Sequence, residues 1–221
     1  MFRDVLRVAR LLFGLFLYAL GIVLTLRANL GYSPWDAFHQ GLAKHLHLTI
    51  GVCSIIVSIV IVIIAMFMKE QVGIGTLCNS VFIGLFVDML LFLGWIPIMN
   101  NFVLGVITIV GGLFVIGFAS FLYIGASYGS GPRDSLMVIL TKRTGCPVGF
   151  CRACVEGTVL CLGWALDGSV GIGTVISVFG LGVAVQTVFT ALRFDVRTLH
   201  QESLLETWAR LKERGKTNER G

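Results

Sequence analysis

Two ionisable residues of opposite charge lie four positions apart in an otherwise apolar stretch of the chain. Arg152 and Glu156 fall within residues 148–166, which carry no other charge. In an α-helix this spacing places both side chains on one face, close enough for an ion pair. One interpretation is structural: the two charges neutralise each other and fix helix packing. The other is functional, because ionisable groups within a membrane span are costly and commonly serve binding or proton transfer.

In the functional interpretation, Glu156 binds or relays a proton or a cationic group. Arg152 then sets the pKa of that carboxylate or meets an anionic substrate. Replacing Glu156 by glutamine is expected to abolish pH-dependent transport while the chain still inserts into the membrane. Normal transport at every pH would make Glu156 structural.

A second acid, Asp88, and the amide of Asn79 lie in another apolar stretch. Asp88 either lines a pathway toward the outer side or extends to the membrane interface. Asn79 is a candidate for lining the pathway or for contact between helices. His39, His45 and His47 have no matching set of acids, so we expect solvated or headgroup-facing positions and no metal site.

The segment Gly31-Tyr-Ser-Pro-Trp-Asp36 recurs as Gly129-Ser-Gly-Pro-Arg-Asp134. Proline at the first helical position, with aspartate three residues after the cap position, predicts a short helix in each copy. The two aspartates are either structural caps or groups that contact a ligand or cation, and both are pathway candidates. The residue after the proline differs, being Trp35 in one copy and Arg133 in the other. We expect this difference to distinguish the two mouths of a pathway.

A shift of 98 positions relates these two segments and continues through the chain. It also aligns Gly73-Ile-Gly-Thr76 with Gly171-Ile-Gly-Thr174. Glycine and proline dictate backbone geometry, so a register that keeps them indicates a tandem duplication. The glycine pairs predict tight turns and close helix contacts. The residues that define the two copies are Gly31, Pro34, Trp35, Gly73, Gly75, Thr76, Gly129, Pro132, Gly171, Gly173 and Thr174.

The composition is that of an integral membrane protein. The 221 residues are 56% hydrophobic and 13% charged, which is more apolar than a soluble domain. Six apolar stretches are long enough to span a bilayer, which takes about 20 helical residues. They cover residues 8–26, 50–68, 74–93, 102–124, 148–166 and 172–192. We therefore predict an all-α membrane protein with six transmembrane helices.

Each copy holds three spans, and an odd number places the second copy upside down relative to the first, as an inverted repeat. We predict a first unit over residues 1–98, with a short outer helix over 33–46. The second, inverted unit covers 99–193, with a short inner helix over 131–144. Such paired half-helices are similar to the broken helices of secondary transporters.

Basic residues set the predicted orientation. With both termini cytoplasmic, only Arg27 and Lys44 of the 17 Lys and Arg residues lie on the outer side, while Arg152 lies within a span. The basic tail, residues 194–221, has an apolar stripe at helical spacing. It is either a short helix on the anionic inner leaflet or a solvated extension.

With these motifs in place, the chain resembles the YczE/YitT-like bacterial membrane proteins. Pro34, Trp35 and Asp36 are the most specific part of the resemblance, which covers residues 8–192. The resemblance implies a multi-pass protein of the bacterial inner membrane with the same duplicated architecture. Export of small organic compounds is a suggestion attached to relatives, and nothing in the resemblance extends to the tail.

The leading hypothesis is a secondary transporter of a small solute, with export as one direction, working by alternating access and coupled to protons or ions. The alternative is a non-transporting scaffold or regulator that acts through its basic tail, and deleting residues 194–221 would separate the two. No nucleophile and base pair can be assembled, so we expect no enzyme. No cofactor, metal or nucleic acid is expected. The expected partners are the lipid bilayer and a small molecule or ion, and a homo-oligomer is left open.

Overall fold

The computed structural model describes residues 2–68, 70, 72–129, 131–146 and 148–194, and these residues form eight α-helices and no strand. The helices are α1 (Phe2–Arg27), α2 (Pro34–Leu46), α3 (Ile50–Phe67), α4 (Ile74–Leu93), α5 (Phe102–Ile124), α6 (Pro132–Thr144), α7 (Val148–Ala165) and α8 (Ile172–Ala191). The predicted all-helical fold is confirmed for these residues. The tail from residue 195 onward lies outside them.

Five helices in the described residues are long and apolar enough to cross a membrane: α1, α3, α4, α5 and α8. The fifth predicted span, α7, has 18 residues, but the side chain of its first residue, Val148, lies outside the described part of the structure. The five helices named above therefore leave the prediction of six spans open. The two short helices have 13 residues each. At 1.5 Å per residue they are about 20 Å long, too short to cross a hydrocarbon core of about 30 Å.

The sequence shift of 98 positions recurs in the helix boundaries. α2, α3 and α4 begin and end 98 residues before α6, α7 and α8. The boundaries repeat because the local signals repeat: a proline at the first position of each short helix, and a left-handed residue, His47 or Gly145, after its end. Gly73 and Gly171 likewise occupy the cap positions of α4 and α8.

The two longest helices, α1 and α5, pack against each other in opposite directions. Glycines bring their backbones close: a Cβ atom added at Gly14 would lie 2.9 Å from Tyr123 N, and one added at Gly112 would lie 2.9 Å from Gly21 O. Gly14 is in the first half of α1, whereas Tyr123 is at the end of α5. The central helix pair is therefore antiparallel, and small residues permit its close approach.

The two glycine motifs interlock across the halves of the chain. Gly31 has a φ of +106° and packs on Gly171 and Thr174, while Gly129 has a φ of +118° and packs on Gly73 and Thr76. Matching backbone bonds accompany these contacts. Gly173 N donates to Leu30 O at 2.7 Å, and Gly75 N donates to Tyr128 O at 2.7 Å. Each motif is thus completed by the other half of the chain.

The short helices also cross between the halves. α2 packs on α7, where a Cβ atom added at Gly163 would lie 2.7 Å from Phe38 N. α6 packs on α3. A Lys142 to Glu70 ion pair of 2.7 Å, with the lysine exposed, adds little to the stability of that contact. This exchange brings the first turns of α2 and α6 toward the same region between the halves.

Candidate functional site

A cavity of about 130 Å³ lies between the two halves of the chain, and we call it the central cavity. The first residues of both short helices line it: Ser33, Pro34 and Trp35 from α2 and its cap, with Gly131, Pro132 and Arg133 from α6 and its cap. Its other polar lining residues include Tyr18, Thr25, Asp36, Ser54, Ser58, Asn79, Tyr123, Arg152, Glu156 and Ser177. The half-helices therefore meet at one site, and the expectation that they mark two separate mouths is wrong.

Trp35 holds a cation and an anion from the other half of the chain. The Arg133 Cζ atom lies over the indole ring, 4.8 Å from its centroid. The indole Nε1 donates a hydrogen bond to Glu156 Oε1 at 3.3 Å. Trp35 is 5% exposed and is packed among Ile61, Val155 and Val159. A rigid aromatic side chain thus orients both charged groups of the central cavity.

The ion pair that the spacing of Arg152 and Glu156 permits does not form among the described residues. Arg152 is exposed and also lines the cavity, whereas Glu156 is partly buried and binds the Trp35 indole. The charge of Arg152 nevertheless acts on Glu156, so the structural interpretation, in which the two charges neutralise each other and fix helix packing, stays a prediction. Both groups still lie where a bound solute could reach them.

Asp36 caps α2 together with Ser33. The backbone N–H of Asp36 donates to Ser33 Oγ at 3.4 Å, and the Ser33 hydroxyl donates to Asp36 Oδ2 at 2.5 Å. Burial raises the pKa of the Asp36 carboxyl above its ordinary value, and the charge of Arg133 and the Ser33 hydrogen bond oppose that rise. The predicted cap is present, but the carboxylate accepts from a hydroxyl rather than from a free backbone donor.

His39, expected to be solvated, is buried with 1% of its surface exposed. It lies one turn after Asp36, with 4.0 Å between its Nδ1 atom and Asp36 Oδ1. Burial lowers the pKa of the imidazole well below its ordinary 6.5, and the charge of Arg133 lowers it further. His39 is therefore neutral. His45 and His47 are exposed, as expected.

The remaining sequence candidates divide between the cavity and other places. Asn79 lines the central cavity, as does Ser177, its equivalent in the second copy. The Ser177 Oγ atom is buried and has no hydrogen-bond partner in the described structure. Asp88 does not line the cavity. The side chain of Asp134 lies outside the described part of the structure, although its backbone lies in the first turn of α6.

Asp88 instead joins α3 to α4. Its carboxylate accepts a hydrogen bond from Gly51 N at 2.9 Å and another from the Thr49 hydroxyl. The backbones are close here, since a Cβ atom added at Gly84 would lie 2.5 Å from Gly51 O. We call this set of contacts the α3–α4 clamp. The sequence predicts a role for Asp88 but does not predict its contacts with Thr49 and Gly51.

The equivalent helices of the second copy are apart. α7 and α8 make little or no contact in the described structure. No described atom lies within 4 Å of a Cβ atom added at Gly149 or Gly182, which are equivalent to the two glycines of the clamp. Gln186 replaces Asp88, and its amide donates to Thr190 of the same helix at 3.2 Å. The α3–α4 pair is therefore closely packed, whereas the equivalent α7–α8 pair is apart in the described structure.

The family described as a family of unknown function (DUF6198) matches residues 5–190. The chain belongs to the DUF6198 family. The chain is also 38% identical over 172 residues to the "Uncharacterized membrane protein YczE" of Bacillus subtilis, covering 77% of this chain and 79% of that protein. It is 32% identical over 178 residues to an "Uncharacterized protein" of Haemophilus influenzae, covering 80% of each. No solved structure matches the chain.

A third relative, the "Uncharacterized protein YyaS" of Bacillus subtilis, is 33% identical over 171 residues, covering 75% of this chain and 83% of that protein. The resemblance to YczE-like proteins is confirmed, and so is the assignment to membrane proteins. The DUF6198 match includes both glycine motifs and every described residue of the central cavity. The names of these relatives state no activity.

Replacing His39 by glutamine is expected to make the stability of the DUF6198 protein less sensitive to acid. Because the pKa of His39 is lower in the folded protein than in the unfolded chain, the unfolded chain takes up the proton first. The free energy of unfolding that depends on His39 is therefore lost as the pH falls below about 6.5. The raised pKa of Asp36 has the opposite effect on the pH dependence of stability, but Asp36 is present in both the unaltered protein and the His39→Gln variant.

The melting temperature in detergent, measured from about pH 7.5 to pH 5.5, tests this prediction. The His39→Gln variant should lose less stability over that interval than the unaltered protein. His45→Gln, an exposed position on the same helix, is the control and should leave the slope unchanged. Equal slopes for His39→Gln and the unaltered protein would contradict a buried neutral imidazole.

Proposed function

We propose that this protein is a secondary transporter of a small solute that works by alternating access. The observation that carries the proposal is the unequal packing of equivalent helices around one cavity. α3 and α4 are clamped through Asp88, whereas α7 and α8 are apart. In alternating access, one half of the molecule is closed while the other is open, and the two halves then exchange these arrangements.

The proposal includes an inverted repeat of two units, with α7 as a sixth membrane crossing. Three findings support it: the repeated helix boundaries, the antiparallel α1 and α5, and the reciprocal contacts of Gly31 and Gly129. A twofold axis in the membrane plane relates copies in this way in many transporters. The charged residues of α7 would then face the central cavity rather than lipid, which lowers the penalty for burying them.

We further propose that the protein lies in the bacterial inner membrane with both termini cytoplasmic, as its basic residues predict. In that orientation the α3–α4 clamp faces outward and the gap between α7 and α8 faces the cytoplasm. The present conformation would be open to the inside. Glu156, positioned by Trp35, would carry the coupling proton or bind a cationic group.

Labelling of a single cysteine tests alternating access without knowledge of the substrate. The six native cysteines are replaced, and Ser58→Cys is introduced on the wall of the central cavity. A membrane-impermeant methanethiosulfonate cation is then applied to inside-out and right-side-out vesicles. A transporter should be labelled quickly from the cytoplasmic side and slowly from the outer side.

Val110→Cys is the matched control, because Val110 is an exposed apolar residue of α5 and would face lipid. A thiol in hydrocarbon stays protonated and unreactive, so this variant should not be labelled from either side. Labelling of Ser58→Cys from one side alone, under every condition tried, would contradict alternating access and favour a protein that does not transport.

Replacing Glu156 by glutamine is expected to remove a pH dependence of this labelling. If protonation of Glu156 biases the opening by about 1.4 kcal/mol, outer-side labelling changes by about tenfold with pH. The Glu156→Gln variant supplies the pH dependence of the buried thiol itself, and Asn100→Cys, an exposed loop position, supplies that of the reagent with a free thiol. The rate at Ser58→Cys should change more steeply with pH when Glu156 is present than in the Glu156→Gln variant. The same pH profile in both proteins would make Glu156 structural.

A further inference from the structure

We propose that the central cavity binds a small zwitterion, with its carboxylate on Arg133 and its ammonium group on Glu156. The proposal rests on the transport function proposed above and names the class of substrate. Four observations carry it: the unpaired guanidinium, the position of Glu156, the size of the cavity and the balance of its charges. Each of these concerns described residues of the central cavity.

Arg133 has its donors available for a ligand. No ion pair or hydrogen bond joins Arg133 to a described residue. Its guanidinium lies over the Trp35 ring, and its charge acts on the nearby carboxylates of Asp36 and Glu156. A guanidinium that lies over an aromatic ring keeps its N–H donors at its edges, where they can bind a carboxylate through two parallel bonds. The proline that begins α6 presents this arginine at the end of a helix whose dipole also favours an anion.

Glu156 is the carboxylate best placed for a cation. Its Oε1 atom accepts from the Trp35 indole, and its Oε2 atom has no partner among the described residues. Asp36 is less suited, because its carboxylate already accepts from the Ser33 hydroxyl at 2.5 Å. Arg133 and Glu156 thus lie at the face and the edge of one indole without forming an ion pair with each other.

The cavity limits the ligand to a few atoms. Its volume of about 130 Å³ compares with about 150 Å³ for a cavity that holds benzene, which has six non-hydrogen atoms. Ile22, Ile83, Leu113 and Ile116 line its remaining wall and suit a short carbon chain. The free hydroxyl of Ser177 offers one more hydrogen bond to a polar end of the ligand.

The balance of charges favours a zwitterion over a simple ion. A simple anion bound to Arg133 would also lie close to Glu156, and a simple cation bound to Glu156 would lie close to Arg133. Arg152 and Asp36 also line the cavity, so its described charged residues are two arginines and two carboxylates, and a simple ion would unbalance them in a confined space. A zwitterion meets both groups at once. The ligand class is therefore a short amino acid or a similar ammonium carboxylate.

β-Alanine, propionate and ethylamine form a matched set of probes, because propionate lacks only the ammonium group and ethylamine lacks only the carboxylate. Binding is measured on the purified full-length protein by thermal shift and by tryptophan fluorescence, with sodium chloride as the ionic-strength control. Glycine and γ-aminobutyrate extend the series to shorter and longer chains. We expect a zwitterion of this series to bind at least about tenfold more tightly than propionate or ethylamine.

Variants assign the two contacts. Arg133→Gln should weaken binding of the zwitterion by at least about tenfold. Glu156→Gln should weaken it as well and should abolish the preference for β-alanine over propionate. Arg143→Gln, an exposed arginine on the same helix, is the control and should bind normally. Arg133→Lys keeps the charge but not the paired donors and should give an intermediate affinity, which guards against a variant that merely fails to fold.

Three results would overturn the proposal: propionate binding as tightly as every zwitterion of the series, no binding of any zwitterion in the series, or normal binding by a folded Arg133→Gln variant. The labelling of Ser58→Cys separates this failure from a failure of the transport proposal. Two-sided labelling without zwitterion binding rejects the substrate class alone. Zwitterion binding with one-sided labelling rejects transport and leaves a binding protein.

Discussion

Replacing Gly31 by alanine is expected to prevent the protein from accumulating in a folded form. Gly31 has a φ of +106°, which L side chains rarely adopt, and an added Cβ atom would lie 2.7 Å from Gly171 Cα. Backbone strain of this kind costs about 1–3 kcal/mol, and overpacking of a close contact costs a similar amount. The two together are a large part of the stability of a typical domain.

The yield of monodisperse protein and its melting temperature in detergent test this prediction. Gly129→Ala should have a similar effect, because Gly129 has a φ of +118° and its added Cβ atom would lie 2.8 Å from Gly73 Cα. Gly111→Ala is the control: no described atom lies within 4 Å of its added Cβ atom, and alanine favours a helix more than glycine. If Gly31→Ala were as stable as Gly111→Ala, the two motifs would not interlock as described.

Replacing Asp88 by alanine is expected to open the outer end of the central cavity. The change removes the acceptor for Gly51 N and for the Thr49 hydroxyl, the two hydrogen bonds that join α3 to α4. Hydrogen bonds to a charged group contribute about 1.5–3 kcal/mol each. A loss of even about 1.4 kcal/mol changes the balance between closed and open forms by about tenfold.

Labelling of Ser58→Cys from the outer side should therefore be about tenfold faster in the Asp88→Ala variant. Gln186→Ala is the matched control at the equivalent position of the second copy. Its amide bonds only to Thr190 of its own helix in the described structure, so its removal should not change outer-side labelling. Unchanged labelling after Asp88→Ala would show that the α3–α4 clamp does not hold the cavity closed.

Most helix boundaries of this protein could be predicted from the sequence to within one residue, whereas α1, predicted as a span over residues 8–26, begins at Phe2. The predicted short helices over 33–46 and 131–144 correspond to Pro34–Leu46 and Pro132–Thr144. Proline at a first position, a serine or glycine cap and apolar runs are local signals, which act within a few residues of the chain. Because the two copies are related by a shift of 98 positions, each boundary in one copy also predicted the equivalent boundary in the other.

The cavity, in contrast, depends on residues that are far apart in the chain. Trp35 and Glu156 are separated by 121 positions. Trp35 and Arg133 occupy the same position in the two copies, which led to the expectation of two separate mouths. Only the crossing of α2 and α6 between the halves brings them to one site. The same crossing buries His39. The sequence could not predict this burial, because a single polar residue in a short helix does not indicate which segment will pack over it.

The membrane class, most helix boundaries and the duplicated backbone motifs can be read from the sequence, because composition, caps and glycines act locally. The meeting of charges and the separation of helices depend on the fold. Arg152 and Glu156 lie one turn apart yet form no ion pair in the described structure, and the Trp35 indole from the other half binds the carboxylate. Asp88 joins α3 to α4 because Gly51 and Gly84 let two backbones approach. Such contacts depend on the packing of distant segments, for which a single chain carries no local signal.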